Sequence, residues 1–197
     1  DLDGTLVDSF RNIQKSLNQA LQSYGFNTHD LESTKQMVGN GMKNLVKRAI
    51  PDQTPSEMVD KVLGELKNHY ANNPADETQP YEGIPEVLHF LRGQQLAVLT
   101  NKPHELAFEV LEQTKLDHYF DQVFGQRDGI PIKPDPGVLE EINREKLNLT
   151  DIWMIGDGQA DAEFARNAGI NFIGVTWGNT PKSVLEPFGK VVQTTNE

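Results

Sequence analysis

Short apolar runs separated by amphipathic helices fill the chain from residue 81 onward, and that rhythm leaves few folds open. Leu96 to Leu99, Ile152 to Ile155 and Phe172 to Val175 are short enough for buried strands, and Val123-Phe124 and Val191-Val192 are briefer candidates. Between them, Ile84, Val87, Leu88 and Leu91 make one helix face closed by Gly93. Pro103 opens a helix carrying Leu106, Ala107, Val110 and Leu111. Asp135-Pro136 caps a helix with Val138, Leu139, Ile142 and Leu147, and Phe164, Ala165 and Ala168 lie on another that stops at Gly169. Strands alternating with helices predict an α/β, Rossmann-like parallel sheet covered on both faces.

Residues 12 to 78 break this rhythm. Phe10, Ile13, Leu17, Ala20, Leu21 and Tyr24 recur at helical spacing, with Asp8 or Ser9 to cap the start and Gly25 to stop it. Met42, Leu45, Val46 and Ala49 mark a second helix that ends before Pro51. Thr54-Pro55-Ser56-Glu57 reads as a capping box opening a third, whose stripe is Met58, Val59, Val62, Leu63, Leu66 and Tyr70. This all-helical stretch predicts an inserted helical domain, 12–78, within a core made of 1–11 and 79–197. Val7 to Arg11 and Thr78 to Gly83 would be its two hinge strands.

Composition excludes several classes. The chain of 197 residues has no cysteine, which removes disulfides, thiolate metal sites and cysteine nucleophiles together. The absence fits a reducing compartment, and a cytoplasmic location is the expectation. A formal net charge of −11 repels nucleic acid and anionic membranes. No apolar run approaches the ~20 residues needed to cross a bilayer. An anionic substrate would need local cations or a metal to overcome the field of such a chain.

Open parallel sheets place their sites at the carboxyl ends of strands. Thr100-Asn101-Lys102-Pro103 follows one apolar run, a loop ending in Lys133-Pro134-Asp135-Pro136 follows the next, and Gly156-Asp157-Gly158-Gln159-Ala160-Asp161 follows a third. The opening Asp1-Leu2-Asp3-Gly4-Thr5 has the same form, so an apolar strand is expected before it. Each piece alone has a structural reading, as a turn, a helix cap or a solvated lysine. Together they bring carboxylates, a hydroxyl and an ammonium group to one sheet edge, a set that suits phosphoryl transfer. The histidines (His29, His69, His89, His104 and His118) make no metal-ligand spacing. Trp153 reads as core, and Trp177 as a packing residue.

Asp1-Leu2-Asp3-Gly4-Thr5-Leu6-Val7-Asp8-Ser9 resembles the first motif of the haloacid dehalogenase superfamily. Leu99-Thr100-Asn101 resembles the second, Lys133-Pro134 the third, and Gly156-Asp157 with Asp161 the fourth. The chain departs in Gly158, where many relatives have serine or threonine. Val38-Gly39-Asn40-Gly41, Thr100-Asn101-Lys102-Pro103 and Gly174-Val175-Thr176-Trp177-Gly178 are similar to the phosphoglycolate phosphatase branch. That resemblance implies a phosphatase with an inserted helical cap, acting on a small phosphorylated metabolite as a monomer or homodimer. It implies Asp1 as nucleophile and Asp3 as general acid and base. It implies a Mg2+ ion held by Asp1, the Asp3 carbonyl and Asp157, with Asp161 supporting from behind. Thr100, Asn101 and Lys133 would hold the phosphoryl oxygens. Gly39-Asn40-Gly41 would face the site, with Lys43 placed to meet a substrate carboxylate. Sugar phosphatases, pyrophosphatases and phosphosugar mutases share this framework. A phospho-acceptor signalling module or a catalytically silent binding protein is the reading from another class.

Overall fold

The computed structural model describes residues 1–144 and 151–197. Strand β1 (Val7–Asp8) leads into helices α1 (Phe10–Ser23), α2 (Leu31–Met37), α3 (Met42–Ala49) and α4 (Ser56–Asn72), and the chain returns as β2 (Gln79–Pro80). β1 and β2 pair antiparallel, Val7 with Pro80 and Asp8 with Gln79. The helices between them are therefore an insertion hung on a two-stranded ribbon. Helix α1 stops because Gly25 takes φ +73° and the Phe26 amide bonds back to the Leu21 carbonyl at 3.0 Å.

Of two expectations about helix starts, the first is met by Asp8 and not Ser9, and the second fails. Ser9 occupies the cap position of α1, but its hydroxyl turns away to Asp3, and the Phe10 amide bonds to Asp8 instead. Thr54 caps nothing: its hydroxyl donates to the Pro51 carbonyl at 2.6 Å, closing the preceding turn, and α4 begins at Ser56 with Pro55 as its cap. Helix α2 carried no apolar stripe to betray it, and it stands on an Asp30 cap whose carboxylate accepts the Ser33 amide at 2.7 Å.

The remainder alternates as α5 (Ile84–Phe90), β3 (Ala97–Pro103), α6 (His104–Gln113), β4 (Gln122–Gln126), α7 (Val138–Arg144), β5 (Trp153–Gly156), α8 (Gln159–Ala168), β6 (Asn171–Val175), α9 (Lys182–Leu185) and β7 (Lys190–Val192). Leu147, expected on the helix of α7, lies outside the described residues. The parallel ladders fall in two groups among the described residues, β3–β4 and β5–β6–β7. The Asp1–Asp3 segment touches both: the Asp1 nitrogen donates to the Ile155 carbonyl of β5, and Lys102 of β3 reaches Asp3. Strand β3 runs further than its apolar run, so Thr100 and Asn101 sit within the strand and no helix starts at Thr100.

One apolar cluster joins the helical unit to the β3 side. It contains Leu17, Leu21, Val62, Leu66 and Tyr70 together with Leu2, Val98, Ala107 and Leu111. Each fully buried leucine there contributes about 1.5–3 kcal/mol. A second cluster of Leu99, Phe124, Met154, Phe164 and Phe172 fills the other side. Trp153 is not core: it is 51% exposed, because β5 alternates and turns Met154, not Trp153, toward α8. No helix among the described residues is long and apolar enough to cross a membrane.

Candidate active site

The first turn aims two carboxylates the same way. Leu2 is fully buried and anchors the segment, so Asp1 and Asp3, one residue to each side, face away from it. The chain then folds back sharply: the Leu6 and Val7 amides both bond to the Leu2 carbonyl, and Gly4 sits at φ +88°. Gly4 also permits a close approach, since a Cβ there would lie 2.5 Å from the Asp157 carboxylate.

Lys133 is 2% exposed and spends its three N–H donors on Asp1 Oδ1 (2.8 Å), Asp161 Oδ1 (2.6 Å) and the Leu99 carbonyl (2.6 Å). Asp157, at the end of β5, exchanges two bonds of 3.1 Å with Thr5: it accepts the hydroxyl proton on Oδ1 and donates its own amide to Oγ1. Its Oδ2 accepts the Asn179 amide at 2.8 Å. Burial first, and then the nearby Asp161 charge, raise the Asp157 carboxyl to about 6. Asp161 bonds the Gly158 amide through Oδ2 at 3.0 Å, so the protein itself occupies both its oxygens.

Asp1, Asp157 and Asp161 each offer a carboxylate oxygen, and those atoms lie within 4.8 Å of one another. Hard oxygen donors clustered in this way fit a small divalent cation. Charge argues the same way. Five carboxylates, Asp1, Asp3, Asp157, Asp161 and Glu163, line the cavity against three cations, Lys102, Lys133 and Arg48. The surplus of negative charge would repel a phosphate unless a cation offset it.

The remaining expected residues divide. Thr100 is buried and lines the cavity; its oxygen accepts the Lys102 amide at 3.2 Å, which leaves its proton for another acceptor. Asn101 lines the same cavity, but its amide hydrogens go to the Gly39 and Lys133 carbonyls, at 3.0 and 2.9 Å. Its side chain acts as scaffold here and has no amide hydrogen left for a phosphate. Lys43 is not brought to the site. Its ammonium, half exposed, pairs with Asp60 at 2.9 Å, on a side of α3 that does not line the cavity.

The cavity encloses about 590 Å³ between the sheet edge and the helical unit. Residues of both line it, and some carried no role in the sequence reading. Lys102 binds Asp3 through both oxygens, at 3.0 and 3.2 Å, and bonds the Tyr70 hydroxyl at 2.6 Å. Arg48 donates to the Met37 carbonyl (2.8 Å) and Asn40 Oδ1 (2.7 Å), and pairs with no carboxylate among the described residues. The Asn179 side chain donates to the Lys35 carbonyl, tying the loop after β6 to the helical unit. Lys102 was visible beside Thr100 and Asn101. Tyr70 read as one more member of an apolar stripe, and nothing in the sequence set Arg48 apart from its neighbours. Trp177 packs as expected, with its indole N–H on the Thr5 carbonyl at 3.0 Å.

Residues 1–175 match the model of the haloacid dehalogenase-like hydrolases. A phosphoglycolate phosphatase of Aliivibrio fischeri is 31% identical over 187 residues, covering 90% of this chain and 82% of its own. One of Agrobacterium fabrum is 34% identical over 195 residues, covering 95% and 84%. Among solved structures, a predicted phosphatase from Clostridium acetobutylicum superposes with a TM-score of 0.88 at 28% identity, covering 100% of this chain and 92% of its own.

Proposed function

Because the chain belongs to the haloacid dehalogenase-like hydrolase family, we propose that it is a magnesium-dependent phosphatase that cleaves 2-phosphoglycolate through a phosphorylated Asp1. The observation that carries this reading is the charge balance of the site, five carboxylates against three cations lining one cavity.

Asp1 Oδ attacks phosphorus, and a bond from carboxylate oxygen to phosphorus forms as the ester P–O bond breaks. Asp3 gives its proton to the departing oxygen. It then takes a proton from the water that attacks the aspartyl phosphate, releasing inorganic phosphate and restoring Asp1. Lys133 exchanges one of its carboxylate contacts for a phosphoryl oxygen, and the Thr100 hydroxyl donates to another. Asp1, the Asp3 carbonyl and Asp157 would hold the magnesium, and Asp161 would steady Lys133 behind them. When bound, the metal supplies positive charge against which two anions can meet. The helical unit, residues 12–78, acts as a cap that closes the cavity and reads the leaving group. Arg48 takes the part expected of Lys43. Two of its five N–H donors are fixed by neutral acceptors, which leaves three that a leaving group carrying a carboxylate could engage.

The test is phosphate release from 2-phosphoglycolate, with magnesium and with chelator, beside Asp1→Asn and Asp3→Ala. Release should need magnesium and vanish in Asp1→Asn. Asp3→Ala should lose about 10²–10⁴-fold. Turnover that survives in Asp1→Asn would overturn the covalent route, and indifference to chelator would overturn the metal.

A further inference from the structure

Lys102 is a buried cation, 5% exposed, in the middle of a strand end. An ammonium so placed must have each of its three donors met. Asp3 meets it with both oxygens, and the Tyr70 hydroxyl meets it from the other side. The Tyr70 ring adds to this, with its centroid 4.1 Å from the Lys102 nitrogen. Tyr70 is fully buried and stands on α4, in the helical unit, whereas Lys102 and Asp3 belong to the sheet side. Burial holds the Tyr70 hydroxyl above its ordinary value. Ser9 completes the setting, its hydroxyl donating to Asp3 Oδ1 at 2.5 Å.

We propose that Lys102 and Tyr70 are positioning residues for Asp3: Lys102 fixes the direction its carboxylate faces, and the hydroxyl supplied by the helical unit fixes Lys102. The inference rests on the reading of Asp3 as the group that protonates the leaving oxygen. Other bonds across the same boundary, from Asn101 to the Gly39 carbonyl and from Asn179 to the Lys35 carbonyl, end on backbone. The bond to Tyr70 continues through Lys102 into the reacting centre. Proton transfer at Asp3 is therefore fully set only when α4 lies against β3, so the unit that covers the cavity also completes the acid.

Tyr70→Phe keeps the ring and removes one hydroxyl. The readout is kcat/KM for two esters in the full chain with magnesium: 2-phosphoglycolate, whose alkoxide must be protonated to leave, and 4-nitrophenyl phosphate, whose phenolate leaves unaided. Should the wild type favour another alkyl phosphate, that ester replaces the first. We expect the alkyl ester to lose about 10–100-fold, from misplacement of the acid. The aryl ester should stay within about threefold of wild type. Lys102→Met also removes one cation of the site, so it should slow both esters, the alkyl ester by more; if that chain does not fold, Tyr70→Phe decides alone. Equal losses on both esters, or none on either, would overturn the positioning role while leaving the phosphatase intact. A wild type inactive on every ester would overturn both readings.

Discussion

Asn101 and Lys133 hold each other through a reciprocal pair of bonds across 32 residues of chain. The Asn101 amide donates to the Lys133 carbonyl, and the Lys133 amide donates to Asn101 Oδ1, each at 2.9 Å. The pair fixes the backbone that carries the Lys133 ammonium to Asp1 and Asp161. Asn101→Ala would leave the Lys133 amide and carbonyl buried without partners. Each such group costs about 1–3 kcal/mol. The expected result is a lower denaturant midpoint together with a drop in kcat/KM of up to about 100-fold, through displacement of Lys133. Lost activity at unchanged stability would instead return Asn101 to the role of a phosphate ligand.

Gly4→Ala tests how the acidic cluster proposed to hold the metal is spaced. The new methyl group would meet the Asp157 carboxylate at 2.5 Å, in a backbone conformation at φ +88° that disfavours any side chain. Asp157 cannot retreat freely, because Thr5 and the Asn179 amide hold its two oxygens. Magnesium affinity should fall about 10–100-fold, the range for disturbing the support of a ligand. A magnesium titration of activity reads this directly, and an unchanged half-saturation point would show that Asp157 is not a ligand.

Much of this site was legible in the sequence because its parts lie at strand ends. Asp1, Asp3, Lys133, Asp157 and Asp161 line one cavity, and Thr100 joins them from within β3. The run of helices between β1 and β2 was legible because helical and strand periodicities differ. What stayed hidden depends on pairing across the insertion. Lys43 and Arg48 sit five positions apart on α3, and which of them faces the cavity is set by the rotation of that helix against α4. Tyr70 has the same apolar spacing as Leu66, and only the approach of Lys102 makes its hydroxyl matter. The capping box at Thr54 failed because a local turn claimed the hydroxyl first.

The raised Asp157 carboxyl ties stability to pH. Burial lifts it from 3.8 to about 6 in the folded, metal-free chain. The folded state then binds the proton more tightly than the unfolded one. This contribution to stability is present in full below 3.8 and is lost as pH rises through 6, an effect on the order of 3 kcal/mol. Magnesium binds the ionised form and competes with that proton. The rise in melting temperature on adding magnesium should therefore be small at pH 5 and larger at pH 7.5. In Asp157→Asn the rise should be small at both. A magnesium effect that does not change across this window would separate Asp157 from the metal.

Arg48 should sort substrates by the charge of the leaving group. Its guanidinium lines the cavity with no carboxylate on it among the described residues, whereas Lys102 and Lys133 are taken by Asp3, Asp1 and Asp161. In a chain of net charge −11, a cation left without a carboxylate partner marks where a second negative group can be accepted. Arg48→Gln keeps some hydrogen-bonding capacity and removes the charge. For 2-phosphoglycolate, KM should rise about 10–100-fold, the loss of one charge-assisted bond of about 1.5–3 kcal/mol. For an alkyl phosphate with no second anion, kcat/KM should stay near wild type. Lys43→Gln serves as the control, since Lys43 pairs with Asp60 on the surface and should change neither substrate. If Arg48→Gln slows both esters alike, Arg48 serves only to hold Met37 and Asn40 in place. Reading the leaving group would then fall to other residues lining the cavity, with Gln36 on α2 the first to test.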